Sequence, residues 1–143
     1  MVIVSACLAG IDCRYDGRPC PEPEVVDLYR SGGAIALCPE ELGGLSTPRP
    51  RAFFEGGIGE DVLDGEARVV RANGEDVTRH FIRGAEAVLR VAGELRIKTA
   101  ILKAGSPSCG KGRVYLGEEL VPGNGVCAAL LMRKGREVRV MGE

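Results

Sequence analysis

Sulfur carries the chemistry that stands out in this chain. Cysteine occurs six times, at positions 7, 13, 20, 38, 109 and 127, against one histidine, His80. Thiolates are soft donors that suit iron–sulfur clusters and zinc. In a small secreted protein six cysteines would suggest a disulfide framework. Here 143 residues, 45% of them apolar, can bury an adequate core without one. In a reducing compartment clustered thiols point to a metal or to a reaction. Core filling still accounts for some, because free Cys is among the most buried residue types. Cys127, in Val-Cys-Ala-Ala-Leu-Leu, is the clearest case.

A structural zinc site takes four protein ligands, often as Cys-x-x-Cys pairs, and no such pair exists here. His80 lies in a long helical segment next to Phe81 and reads as a surface or satisfied residue. Three cysteines form a different kind of site, one with an open coordination position that can act as a Lewis acid toward a substrate. Soft sulfur is the natural ligand for such a position. The spacing by itself suits a cluster and zinc equally.

The elements of the chain decide which cysteines can meet. Residues 1–5 and 34–37 are short apolar runs and read as buried strands. Residues 11–20 are Gly- and Pro-punctuated loop, and 23–31 form a helix stopped by Gly32-Gly33. Pro39, Pro48 and Pro50 with Gly43-Gly44 make 39–57 a long loop or a broken helix. Residues 58–75 alternate weakly and suggest a small hairpin or edge insertion. The best helix covers 77–96, where Phe81, Ala85, Val88, Ala92 and Leu95 keep the 3.6-residue period. A third strand is expected at 99–103, and a turn-rich loop at 105–110. A two-stranded excursion should follow around Gly117, then an amphipathic helix at 124–134 and a last strand at 137–141. This alternation predicts a single three-layer, Rossmann-like α/β domain over residues 1–143, with a mainly parallel sheet flanked by helices.

Ligands of such sheets bind beyond the carboxyl ends of the strands. Cys7 follows the first strand, Cys38 the second, and Cys109 lies in the loop after the third. Three cysteines far apart in sequence are therefore expected on one rim.

Several function classes are excluded by composition. A formal net charge of −1 supplies no field to attract nucleic acid or an anionic membrane. With no Trp and 4% aromatic residues, a stacking platform for single strands is poorly supplied. No apolar run reaches the length needed to span a bilayer. Met1 leads directly into Val-Ile-Val without a basic leader, so a cytoplasmic protein is expected. No surface pattern marks an oligomer contact.

Four blocks resemble a known family. Ser5-Ala6-Cys7-Leu8-Ala9-Gly10 with Cys13-Arg14-Tyr15-Asp16-Gly17 is similar to the opening of the domain-of-unknown-function family 523. Cys38-Pro39-Glu40, Gly43-Gly44-Leu45 and Pro48-Arg49-Pro50 resemble its second block. Ser106-Pro107-Ser108-Cys109-Gly110 and Gly123-Asn124-Gly125-Val126 with Ala128-Ala129-Leu130 resemble the third and last. The resemblance covers nearly the whole chain in order. It implies a desulfidase acting on thiouracil or a related small thiolated substrate by non-redox hydrolysis. It also implies a 4Fe–4S cluster on Cys7, Cys38 and Cys109, whose fourth iron takes up the substrate's sulfur.

By the same resemblance, Glu40 and Ser106 match the acid–base positions. On local grounds alone, Glu40 after Pro39 would begin a helical turn, and Ser106 before Pro107 would be a turn or cap residue. Cys13 is open to three readings: a fourth ligand, a guard thiol or packing. Cys20 reads as chance placement. Arg14, Tyr15, Arg49 and Arg51 are candidates to line a pocket, though loop arginines are usually solvated. Gly123-Asn124-Gly125 suggests amides facing an anion or the cluster, or a plain N-cap at Asn124. The competing function is a non-catalytic metal-binding or sulfur-handling module, with zinc on Cys7, Cys38, Cys109 and Cys13.

Overall fold

The computed structural model describes residues 1–143. In chain order, Val2–Ser5 (β1) leads through a 3₁₀ turn at Ala6–Ala9 and a long loop to Pro23–Arg30 (α1). Ala34–Leu37 (β2), Pro39–Leu42 (α2), Ala52–Glu55 (β3), Gly59–Leu63 (α3), Arg68–Arg71 (β4) and Thr78–Glu94 (α4) follow. Then come Thr99–Lys103 (β5), Arg113–Leu116 (β6), Glu119–Pro122 (β7), Val126–Arg133 (α5) and Glu137–Met141 (β8).

Four strands form a parallel sheet in the order β2-β1-β5-β8. Side-chain alternation puts Ile3, Ala100 and Leu102 on the face shared with Phe81, Val88 and Leu131 of α4 and α5. Val4, Ala34 and Ile101 face the other way, with Val25 of α1. Both faces are covered, which is why these strands read as continuous apolar runs rather than as alternating ones. The three-layer α/β arrangement expected from the sequence is what forms.

The structure differs from expectation at three places. Residues 39–57 hold the short helix α2, as a broken helix allowed, but also the strand β3. The small hairpin does not lie within 58–75, because β4 pairs antiparallel with β3 across the intervening α3. An alternating segment shows which of its faces is buried but not where its partner strand lies. Finally, α5 is not amphipathic. Val126, Cys127, Ala128, Ala129, Leu130 and Leu131 are all buried, since this helix packs against α3 and α4 as well as the sheet.

The four-residue α2 is too short to hold itself together and depends on α4. Two glycines allow their backbones to touch. A Cβ at Gly84 would fall on the carbonyl oxygen of Pro39, and one at Gly43 on that of His80. His80 Nδ1–H donates to Gly43 O at 2.7 Å, so the lone histidine is a satisfied structural residue, as its position suggested. Gly84→Ala is expected to destabilise the protein by about 1–3 kcal/mol or more through overpacking. At an unhindered helix site the same change stabilises by roughly 1 kcal/mol. The sign of the shift in a denaturant titration therefore tests the contact directly.

Candidate active site

Three adjacent strands, β2, β1 and β5, end on the same rim, and each hands on to a cysteine. Cys7 sits in the 3₁₀ turn after β1, which Gly10 closes at φ 93°. Cys38 caps the start of α2 directly after β2, and Cys109 lies in the loop after β5. All three line one cavity of about 500 Å³, with Cys13, Glu40 and Ser106. The expected convergence of Cys7, Cys38 and Cys109 at the carboxyl edge therefore holds. Cys127 is buried in the core and Cys20 lies outside the cavity, in keeping with their sequence readings.

Cys13 is brought into the same group. Its thiol faces those of Cys7 and Cys38, and its carbonyl lies 3.7 Å from Cys38 Sγ. Those contacts favour the thiolate of Cys7 and of Cys38, lowering both, and the backbone amide of Glu41 helps Cys38 further. The same contacts keep the proton on Cys13, whose pKa is pushed up. Cys109 has a different environment. Burial raises its thiol to about 12, against the hydrogen bond from Ser5. Ser5 Oγ accepts the Lys103 amide at 2.8 Å and is left with its proton free for Cys109 Sγ, 3.3 Å away.

Glu40 lies in the first turn of α2, one residue after Pro39. Its Oε1 accepts from Arg49 Nε at 3.1 Å and its Oε2 from Ser108 Oγ at 2.8 Å. Arg49 is almost entirely enclosed, with 3% of its side chain exposed. It also donates to the carbonyls of Cys13 and Ser46 and to Thr47 Oγ1, tying the Cys13 loop and its own loop to the carboxylate. Ser106 Oγ accepts the Cys109 amide at 2.8 Å and faces Ser108 Oγ at 3.3 Å. The structure thus brings Glu40 and Ser106 to one wall of the cavity, linked through Ser108.

The family model for 2-thiouracil desulfurase matches residues 2–143. The chain belongs to that family. It is 46% identical over 141 residues to the uncharacterized protein YbbK of Bacillus subtilis (strain 168), covering 96% of this chain and 93% of that protein. It superimposes on the 4Fe–4S-dependent thiouracil desulfidase TudS with a TM-score of 0.85 at 42% identity, covering 97% of this chain and 89% of that one.

No three His, Cys, Asp or Glu side chains gather around one point as a single metal ion requires. With Zn–S near 2.3 Å, thiolates on one zinc stay within about 4.6 Å of each other. Cys7, Cys38 and Cys109 reach the cavity from three separate segments. Soft donors spread around a cavity suit a polynuclear cluster better than one ion.

Arg14, Tyr15, Arg49 and Arg51 all line the cavity, as anticipated, but Arg49 serves as the buried partner of Glu40. The Arg51 guanidinium lies 5.1 Å from the centroids of both Phe53 and Tyr115. Two contributors were not read from the sequence. Ser108 stands out in the sequence only as part of a motif, and Tyr115 only as an aromatic next to a tight turn. The expectation for Gly123-Asn124-Gly125 is corrected. Gly123 and Gly125 amides donate to the carbonyls of Gly112 and Gly110, and Asn124 Oδ1 accepts the Gly112 amide. The N-cap is Gly125 rather than Asn124. The segment staples the Cys109 loop in place and lies outside the cavity lining.

Proposed function

We propose that residues 1–143 act as one catalytic domain, a 4Fe–4S-dependent desulfidase that hydrolyses the thiocarbonyl of thiouracil or a related thionucleobase or thionucleoside. The observation that carries this reading is the set of three thiols at the ends of three adjacent strands, around a cavity that also holds Glu40 and Ser106. Cys7, Cys38 and Cys109 are the cluster ligands in this reading, and Glu40 and Ser106 the acid–base pair. Family membership and the likeness to TudS support it. When bound, the cluster would supply an iron with an open position, a Lewis acid with affinity for soft sulfur.

The chain's own groups do the rest. Glu40 is held as an acceptor by Arg49 and Ser108, and its place at the cavity wall suits it to take a proton from water. Ser106 holds a hydroxyl on the cavity lining three residues before Cys109, which suits it to give a proton to a departing sulfur. The cavity falls within the range of small-molecule sites, which typically hold 300–1,000 Å³. That volume and the near-neutral charge favour a small molecule over nucleic acid. No helix is long and apolar enough to cross a membrane. The free thiols of the site suit a reducing cytoplasm.

Protein purified without oxygen is expected to be brown, with about four irons and four labile sulfides per chain. It should also release sulfide from 2-thiouracil or a thiolated pyrimidine nucleoside. Colourless protein that carries zinc, or that takes up no iron on anaerobic reconstitution, would sink the proposal.

A further inference from the structure

No hydrogen bond joins Glu40 to Ser106 directly; Ser108 stands between them. Its side chain is buried, the residue being 3% exposed, with Oγ 2.8 Å from Glu40 Oε2 and 3.3 Å from Ser106 Oγ. The neighbours fix the direction of each proton. Ser106 Oγ already accepts the Cys109 amide, which leaves its own proton free to point at Ser108. The single proton of Ser108 goes to the carboxylate, which can only accept. The other carboxylate oxygen is filled by Arg49 Nε–H. A one-way chain results, running from the Cys109 amide through Ser106 and Ser108 to Glu40.

Ser108 is also held in place. Its carbonyl accepts the amides of Cys127 and Ala128, at 2.8 and 3.2 Å, at the start of α5. This approach needs the glycine at 125, where a Cβ would run into the Ser108 carbonyl group. Such fixed backbone contacts keep the hydroxyl in line without a further ordering step.

Resting on the desulfidase reading, we propose that Ser108 is the positioning and relay residue that carries a proton from Glu40 to Ser106. Water oxygen adds to the thiocarbonyl carbon while Glu40 takes one of its protons. The carbon–sulfur bond breaks and its electron pair leaves with sulfur. As the hydrogen bonds of the chain reverse, that proton passes from Glu40 through Ser108 to Ser106, and from Ser106 to the departing sulfur. The second water proton then leaves the new hydroxyl for Glu40 and solvent. Thiocarbonyl and water thus give carbonyl, hydrosulfide and a proton, with no change of oxidation state.

The test compares anaerobically loaded wild type, Ser108→Ala, Ser108→Thr, Ser106→Ala and the Ser106→Ala/Ser108→Ala double variant. Rates of sulfide release from 2-thiouracil and a thiolated pyrimidine nucleoside are expressed per cluster, from iron and labile sulfide. Ser108→Ala is expected to keep its iron and visible spectrum, to lower kcat about 10²-fold and to leave KM within about threefold. Ser108→Thr, which keeps a hydroxyl, should recover at least about a tenth of the wild-type kcat. The double variant should be no slower than the slower single one, because either change interrupts the same chain. Independent structural defects would multiply instead. The relay is overturned by a loaded Ser108→Ala enzyme with kcat within about threefold of wild type. It is equally overturned by losses that multiply, or by a Ser108→Ala protein that cannot hold iron, which would make Ser108 a support for Cys109. Iron-loaded wild type that releases no sulfide from either substrate overturns the desulfidase reading itself.

Discussion

Glu40→Gln is expected to lower kcat by about 10²–10⁴-fold while the loaded protein keeps its full complement of iron. The substitution removes the base and little else. The amide oxygen can still accept from Arg49 Nε, and the amide nitrogen can donate to Ser108 Oγ, which turns to receive it. The two groups are 3% and 14% exposed, so this is a largely enclosed ion pair and its geometry matters for stability too. Glu40→Ala would leave the Arg49 guanidinium buried and unpaired, a loss of about 3–5 kcal/mol for such pairs. Gln therefore separates the chemical role from the structural one. Steady-state kinetics per cluster, beside thermal unfolding of the same preparation, makes the comparison. A Glu40→Gln enzyme with kcat within a few-fold of wild type would remove Glu40 from the acid–base role.

Changing Cys7, Cys38 or Cys109 singly to Ala is expected to abolish both cluster retention and sulfide release, whereas Cys13→Ala is expected to preserve both. Four thiols surround the cavity, and their environments differ. Cys7 and Cys38 directly follow β1 and β2 and Cys109 follows β5, whereas Cys13 lies in the loop beyond the 3₁₀ turn. Cys109 is buried, but the Ser5 hydroxyl donates to its sulfur, an arrangement that supports a ligating thiolate. Iron and labile sulfide in each anaerobically purified variant supply the measurement. Full iron in any one of the first three, or none in Cys13→Ala, would show that the ligand set has been misassigned.

Much of this architecture could be read in the sequence because it depends on local pattern. The apolar runs at 2–5, 34–37 and 99–103 specify buried strands, and the period through Phe81, Ala85 and Val88 specifies the long helix. Once the strands alternate with helices, a parallel sheet follows, and cysteines just past three strand ends must share a rim. Glu40 and Ser106 took their roles from resemblance rather than from spacing.

Only the tertiary structure decided what meets across long separations. The pairing of β3 with β4, the burial of α5 on nearly every side and the α2–α4 contact through Gly43 and Gly84 have no signature in periodicity. Neither does the placement of Cys13 between Cys7 and Cys38, or of Ser108 between Ser106 and Glu40. Periodicity records which face of an element avoids water. The distance from a serine in one loop to a carboxylate in another is fixed by how the elements pack, and here that packing converts a row of thiols into a site with directed hydrogen bonds.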